Sequence, residues 1–329
     1  MLTIKIVATV QIDFDGPIDM RMTASSGFAT GTTQADSHVT LADARDGYYV
    51  LFGTSGRVAN VTISFKPSDL HWWVSSDNTP MPFSLDAGGY FFANGSRVAA
   101  GPDLLHGTYD FGAGPEAFVA VRQFESDLAA LDGATFTLFS ATPSGTGPRA
   151  VAVQPAWIAG STLTLCQDTV PRTAATCPTT AQAHYAITQD GVTFIATGAD
   201  TFRFFVADTG TSRVLLRGDS NGSEGFFAIG LPPAAPSTGS PSFLGTTLGA
   251  WTFVQFASAS YATAAYQPST ANFGSFSAAV ALQEVAGGPT GLRQGTRSDG
   301  VAFETASSSA LTVQTGAPGE IDLLGTFLP

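Results

Sequence analysis

Two stretches of the sequence decide the fold: residues 133–139 read GATFTLF, and residues 249–256 read GAWTFVQF. Further along each copy, QDGVTF at residues 189–194 recurs as SDGVAF at residues 298–303. The matches keep the same order in both copies, which is the signature of an internal repeat. The sequence therefore predicts that one β unit occurs twice in tandem.

A fainter copy precedes these two, beginning at residues 46–52 (DGYYVLF) and ending near residues 118–121 (FVAV). The Pro/Ser/Gly-rich stretch at residues 232–241 (PPAAPSTGSP) has the composition of a linker before the last copy. The predicted organisation is an N-terminal strand segment at 1–45, a divergent first β repeat at 46–127, a second β repeat with a disulfide loop at 128–232, a linker at 233–242 and a third β repeat at 243–329.

Alternation of apolar and polar side chains with a period of two runs through nearly the whole chain, and helical periodicity is almost absent. Turn residues divide the second copy into eight candidate strands, at 134–139, 149–157, 161–167, 183–189, 192–197, 201–207, 212–217 and 225–231. Eight strands joined by hairpins suit a small up-and-down barrel, which leaves no exposed edge strand. A two-sheet sandwich is the alternative. We therefore predict an all-β fold of tandem antiparallel barrels or sandwiches.

The cleanest alternation opens the chain, at residues 2–14, where every even-numbered side chain is apolar. A strand of this length far exceeds the usual ~5 to 6 residues. We expect it either to run across two packed units of its own chain or to be completed by another subunit through strand addition.

Composition and charge limit the partners of the protein. The net charge is −12, and the 14 basic residues form no cluster that would bind a phosphate backbone, so we expect no nucleic-acid partner. No stretch approaches the ~20 continuous apolar residues of a transmembrane helix. The first residues lack the apolar core of a signal peptide, which predicts a cytoplasmic protein or a mature form whose signal was removed.

The two cysteines, Cys166 and Cys177, stand at the ends of a turn-like segment. Two cysteines alone do not make a zinc site, and two unrelated buried thiols are the remaining alternative. We predict a disulfide, which the loop-entropy model values at ~3 kcal/mol. Because disulfides persist in oxidising compartments, we predict an extracytoplasmic protein that is secreted, periplasmic or on the cell surface.

Two clusters are candidate binding sites. In a strand, neighbouring side chains face opposite sides, so His71, Trp72 and Trp73 can present one indole to a sugar or to a protein partner. Burial of both indoles is the alternative. Asp13, Asp15 and Asp19 surround a glycine turn and supply the oxygen ligands that Ca²⁺ prefers, although the EF-hand spacing is missing. A solvated turn is the alternative there, and we expect no other cofactor.

No catalytic motif stands out. Residues 218–222 (GDSNG) match the G-x-S-x-G pattern, but a predicted strand follows where a nucleophile elbow needs a helix. The four histidines have no metal-binding spacing. We therefore favour a non-catalytic protein for binding or adhesion, with a glycan or protein ligand. The alternatives are a surface or filament subunit that assembles with itself through the N-terminal strand, and a lipocalin-like carrier of a small apolar ligand.

Overall fold

The computed structural model describes residues 4–5, 30–31, 45–66, 69–74, 81–86, 89–92, 97–100, 104–110, 115–143, 149–209, 212–218, 225–234, 241–245, 251–257, 260–267, 272–273, 280–297, 299–308, 311–315 and 321–326. Within these ranges the chain forms 28 strands and two short 3-10 helices, and it contains no α-helix. The all-β prediction is confirmed.

In the N-terminal segment the structure describes two short strands. These are β1 (Ile4–Lys5) and β2 (Thr30–Gly31), which pair antiparallel with each other. The remainder of residues 2–14 lies outside the described residues, so the long first strand stays a prediction.

Eight strands form a first closed barrel: β3 (Gly47–Gly53), β4 (Val58–Lys66), β5 (Asp69–Val74), β6 (Met81–Asp86), β7 (Gly89–Phe92), β8 (Arg97–Ala100), β9 (Leu104–Asp110) and β10 (Pro115–Val121). Each strand pairs antiparallel with the next one along the chain, and β10 closes the ring by pairing with β3. The sequence of this unit thus forms a simple meander.

Eight further strands form a second closed barrel: β11 (Thr135–Thr142), β12 (Ala150–Ala159), β13 (Thr162–Cys166), β14 (Gln182–Asp190), β15 (Thr193–Thr197), β16 (Thr201–Asp208), β17 (Arg213–Gly218) and β18 (Phe227–Leu231). The 3-10 helices Leu128–Leu131 and Thr179–Ala181 precede β11 and β14. All eight predicted strands are present, with small differences at their ends. The up-and-down barrel is confirmed, and the sandwich alternative is not formed here.

The third sheet consists of β19 (Pro241–Gly245), β20 (Trp251–Ala257), β21 (Ser260–Gln267), β22 (Asn272–Phe273), β23 (Val280–Ala281), β24 (Gln283–Glu284), β25 (Arg293–Thr296), β26 (Ala302–Ser307), β27 (Leu311–Thr315) and β28 (Ile321–Thr326). Strand β21 pairs with β23, and β24 pairs with β25. Only Leu282 separates β23 from β24. The two short strands therefore act as one interrupted strand that links β21 to β25. The strands of this sheet follow one another in the same order as those of the second barrel, whereas the domain boundaries drawn from the sequence stay a prediction.

In each of the first two barrels, every second side chain along a strand points inward, and these apolar side chains fill the interior. In the second barrel, Phe136, Ile158, Phe194 and Phe204 point inward and belong to one cluster of buried residues. In the first barrel, Tyr49, Ile63 and Phe118 do the same. Burying a side chain of this size contributes about 1.5–3 kcal/mol, so each barrel carries a core of its own.

A third apolar core lies between the units and is built from the outer faces of their strands. Phe52 and Val119 from the first barrel, Phe139 and Ile229 from the second, and Val313 from the third sheet belong to this one cluster. The contacts run from β3 to β17, from β10 to β28 and from β11 to β27, so each unit contacts both others. We call this cluster the shared core.

Hydrogen bonds and one close backbone approach join the first two barrels. The amide of Gly225 donates a hydrogen bond of 2.7 Å to the carbonyl oxygen of Ser55. The Arg149 guanidinium donates to the carbonyl oxygens of Thr54, Ala141 and Gly225, which joins the β3–β4 turn to the second barrel. Gly56 has a φ of +92°, and a Cβ there would lie 2.7 Å from the carbonyl carbon of Gly225. Glycine is therefore required at this close approach.

Candidate functional site

The sequence-predicted site residues lie in two places. His71, Trp72 and Trp73 belong to β5 of the first barrel, where Trp72 pairs with Ile63 on one side and with Met81 on the other. The backbone register is all that is described there, so their ligand-binding role stays a prediction. Asp13, Asp15 and Asp19 lie outside the described residues, and so does the predicted Ca²⁺ site. Among the residues that are described, no group of three or more His, Cys, Asp or Glu side chains is placed to hold a metal ion.

The predicted disulfide between Cys166 and Cys177 is present, with a Cα–Cα distance of 6.0 Å. It closes a loop that leaves β13 and re-enters at β14. The loop reaches the third sheet, because a Cβ on Gly287 would lie 3.3 Å from the carbonyl oxygen of Pro171. The disulfide therefore holds in place a segment that covers part of the outer surface of the second barrel.

A cleft of about 140 Å³ lies under this disulfide loop, between β12 and the third sheet, and is lined by Asp168, Arg172 and Glu304 among others. Asp168 accepts a hydrogen bond of 2.8 Å from the Arg172 guanidinium, which together with the amide of Val170 holds the pKa of that carboxyl below its usual value. Burial raises the pKa of Glu304. The two carboxyl groups of the cleft thus differ in their environment.

At the end of the second barrel that carries the β15–β16 turn, called the upper mouth, aromatic rings cluster around a cation. The guanidinium carbon of Arg217 lies 3.8 Å from the ring centroids of both Phe202 and Phe226. Tyr185 lies edge-on to Phe202, at 5.0 Å between ring centroids. Burial raises the pKa of Tyr185, and a hydrogen bond with Asp200 adds to that effect. The described side chains at this end of the barrel therefore pack against one another.

The outer faces of β13, β14 and β15 are polar. Their outward positions are held by Thr162, Thr164, His184, Ala186, Thr188, Thr193, Ile195 and Thr197, most of which are exposed or partly exposed. Inward positions on the same strands carry Leu163, Tyr185 and Phe194. The alternation is therefore complete on these strands, and their outer face is the free face of the second barrel.

Trp157 lies on the outer face of β12, next to this free face. Its neighbours Ala156 and Ile158 are buried in the barrel interior, so the indole lies outside and is partly exposed. In the sheet Trp157 pairs with Thr135 on β11 and with Thr164 on β13. Thr164 in turn pairs with His184, and their side chains share a hydrogen bond of 3.0 Å between Oγ1 and Nδ1. We call the row Thr135, Trp157, Thr164 and His184 the indole row.

The sequence contains a signal for the outward position of Trp157 that no motif reveals. Within β12 the residues on either side of it are apolar and inward, so strict alternation places position 157 outside. An isolated tryptophan carries no motif, whereas the adjacent pair Trp72 and Trp73 is a recognisable pattern. The geometry of the indole row therefore emerges from pairing across four strands, which sequence spacing alone does not give.

A groove of about 530 Å³ opens at the opposite end of the second barrel, which carries the β16–β17 turn and is called the lower mouth. It is lined by Ala134, Thr135, Phe136, Asp208, Ser212, Arg213, Pro232 and Pro233. The Arg213 guanidinium donates to the carbonyl oxygen of Ala130 and lies 3.4 Å from a carboxylate oxygen of Glu125. Thr135 belongs both to this groove and to the indole row, so the two features adjoin.

Comparison of the chain with protein-family models, with curated proteins and with solved structures finds no match in any of the three. Within the described part of the chain, no helix has the length and apolar character needed to cross a membrane.

Proposed function

We propose that this chain is a non-catalytic, extracytoplasmic glycan-binding protein and that the indole row of the second barrel is its ligand-binding surface. The observation that carries the proposal is the partly exposed indole of Trp157, which stands on β12 between Thr135 and Thr164, with His184 hydrogen-bonded to Thr164 one strand further on. A sugar ring has an apolar face of C–H groups and an edge of hydroxyl groups. An aromatic ring beside fixed polar groups matches both parts.

The position of the row supports recognition without catalysis. Its side chains stand on neighbouring strands of a closed barrel, and strands hold a site more firmly than loops do. Thr164 is buried while His184 is exposed, so the hydrogen bond between them fixes the imidazole and leaves its other nitrogen facing outward. Hydroxyl and imidazole groups donate to and accept from sugar hydroxyls.

A protein ligand is less well supported by the surface that is described. A stable protein interface is built around a contiguous apolar centre with aromatic anchors. Among the described residues, the exposed large apolar side chains are Tyr48 on β3, Val170 in the disulfide loop and Val192 in the β14–β15 turn. They lie on separate elements, so they form no common patch.

The disulfide supports the proposed location. A bond between Cys166 and Cys177 persists where the environment is oxidising, as it is outside the cytoplasm. The disulfide loop would therefore keep its position over β12 if the protein is secreted, periplasmic or on the cell surface, because the bond stays oxidised there.

The other candidate functions have less support. The second barrel interior is occupied by a cluster of packed aromatic and aliphatic side chains, which does not favour a carrier of an apolar ligand. Self-assembly through the N-terminal strand depends on residues outside those described, apart from the short pairing of β1 with β2.

A glycan array followed by titration calorimetry tests the proposal. We expect the wild-type protein to bind a subset of glycans and the Trp157→Ala variant to lose at least about tenfold in affinity, as removal of a central aromatic anchor does. Tyr48→Ala is the matched control, because Tyr48 is an exposed aromatic residue on the outer face of the first barrel. The proposal is wrong if no glycan binds, or if Trp157→Ala binds as tightly as the wild type.

A further inference from the structure

We infer that the groove at the lower mouth of the second barrel is a second subsite for the same ligand, which makes that ligand an uncharged oligosaccharide chain extending from Trp157 into the groove. The inference rests on the proposed function. It adds the size and the charge of the ligand.

Continuity between the two features is the first argument. Trp157 and Thr135 are directly paired residues of β12 and β11. Thr135 is exposed and also lines the groove. Directly paired residues of an antiparallel sheet have Cβ atoms about 4.5–5.5 Å apart, so a ligand on the indole reaches the groove without crossing a gap. A single sugar ring on Trp157 would leave the groove unused.

The volume of the groove is the second argument. About 530 Å³ lies within the usual range of about 300–1,000 Å³ for sites that hold small-molecule ligands. Pro232 and Pro233, both partly exposed, supply an apolar lining for the C–H face of a sugar. Asp208, Ser212 and Arg213 supply groups that bond to hydroxyls.

An unpaired hydroxyl is the third argument. The Oγ atom of Ser212 is shielded from solvent and has no hydrogen-bond partner in the described structure. The backbone of Ser212 is hydrogen-bonded in the β16–β17 turn. Its amide donates to Thr209 Oγ1, and its carbonyl oxygen accepts from the same hydroxyl group. A buried polar atom without a partner lowers the stability of the free protein. A ligand hydroxyl that pairs with it after rotation about χ1 would explain why a serine stands there.

The charges around the groove specify an uncharged ligand. Arg213 forms an ion pair with Glu125, which offsets its positive charge, and it stands opposite Asp208 in the β16–β17 register. The chain as a whole carries a net charge of −12, which repels sulfated or uronic acid polymers at long range. Planar carboxylate and guanidinium groups hydrogen-bond to neutral hydroxyls without needing a charge on the ligand.

Ligand length and one conservative substitution test the inference. Monosaccharides and longer chains of the neutral glycan that binds best are titrated against the wild type, Trp157→Ala and Ser212→Ala. We expect Trp157→Ala to weaken binding of both lengths. Ser212→Ala should weaken binding of the longer chain about fivefold, the effect of one neutral hydrogen bond, and leave monosaccharide affinity unchanged. Ser84→Ala, an exposed serine on the first barrel, is the control.

Thermal unfolding supplies a second readout, because removal of an unpaired buried hydroxyl raises the melting temperature of Ser212→Ala while its affinity falls. A purely structural serine gives no such opposition. Amide shifts of Ser212 and Arg213 in the wild type on addition of the longer chain test the same contact without a substitution. If Trp157→Ala weakens binding while Ser212→Ala changes neither affinity nor these shifts, the groove is not a subsite and the proposed function stands. If no saccharide of any length binds, both fail.

Discussion

Two parts of the second barrel wall have the same backbone pairing and opposite outer faces. On β11, β17 and β18 the outward residues Phe139, Leu216 and Ile229 are apolar and fully buried in the shared core. On β13, β14 and β15 the outward residues are mostly threonine, with His184, Ala186 and Ile195, and all but Thr164 are exposed or partly exposed. The interior is packed alike behind both parts. The outer face of a barrel strand is therefore apolar where another unit packs on it and polar where it is left exposed.

Removing a side chain from the shared core should have the largest effect on stability. Phe139→Ala should lower the free energy of unfolding by about 3–5 kcal/mol, the range for a fully buried phenylalanine. Urea unfolding followed by circular dichroism measures it. Phe194→Ala, inside the second barrel, is the matched variant and should cost as much. A loss near zero for Phe139→Ala beside a large loss for Phe194→Ala would show that the three units pack loosely.

Opening the disulfide tests the part of the outer face that the loop covers. The double variant Cys166→Ser/Cys177→Ser should lower the free energy of unfolding by about 3 kcal/mol, because the unfolded chain is no longer constrained by the closed loop. Denaturant titration without reductant measures the change. Val170→Ala, in the same loop but exposed, should leave stability unchanged. A double variant as stable as the wild type would contradict the structural role of the bond.

The pH dependence of Glu304 sharpens the contrast between a covered and a free outer face. Burial raises the pKa of this carboxyl in the folded state, so the folded protein holds the proton more tightly than the unfolded chain. That contribution to stability is present at low pH and is lost as the pH rises through the folded pKa. Glu304→Gln should therefore be more stable than the wild type at pH 7 and equal to it at about pH 3, below the usual glutamate pKa of about 4.3.

Urea unfolding of Glu304→Gln at both pH values measures this effect. Asp190→Asn, at the exposed end of β14, is the control. Equal stability of Glu304→Gln and the wild type at both pH values would mean that the cleft under the disulfide loop is filled with water.

The smallest effect is expected on the free face. Thr197→Ala, at an exposed outward position of β15, should change the free energy of unfolding by no more than about 0.5 kcal/mol. The same urea titration measures it. A loss approaching that of Phe139→Ala would mean that another surface covers β13–β15, and the indole row would then be closed to a ligand.

The strands were predictable from the sequence because each carries its own local signal. Alternation and turn dipeptides such as Asp190-Gly191 located all eight strands of the second barrel, and Gly191 has the positive φ of +62° that such a turn requires. The disulfide was predictable for the same reason, since both cysteines flank one loop. Local patterns suffice wherever the structure depends on neighbours in sequence.

The shared core and the indole row depend on residues that are distant in sequence. Phe52 meets Phe205 at 5.4 Å between ring centroids, although they belong to different barrels. The runs of apolar residues on both faces of β17 and β18 contained a hint, since a strand that is apolar on both sides must be covered on both sides. Nothing in the spacing says which unit covers it. Trp157 likewise becomes a candidate only when Thr135 and His184 are brought beside it.

Nuclear magnetic resonance titration of the Trp157 indole tests the central claim most directly. Oligosaccharides selected by the glycan array are added to ¹⁵N-labelled protein, and the indole and backbone N–H signals are followed. The account predicts saturable shifts of the Trp157 indole together with the amides of Thr135, Thr164 and His184. It is contradicted if the shifts lie in the first barrel around β5, or if a bound oligosaccharide leaves the Trp157 indole signal unchanged.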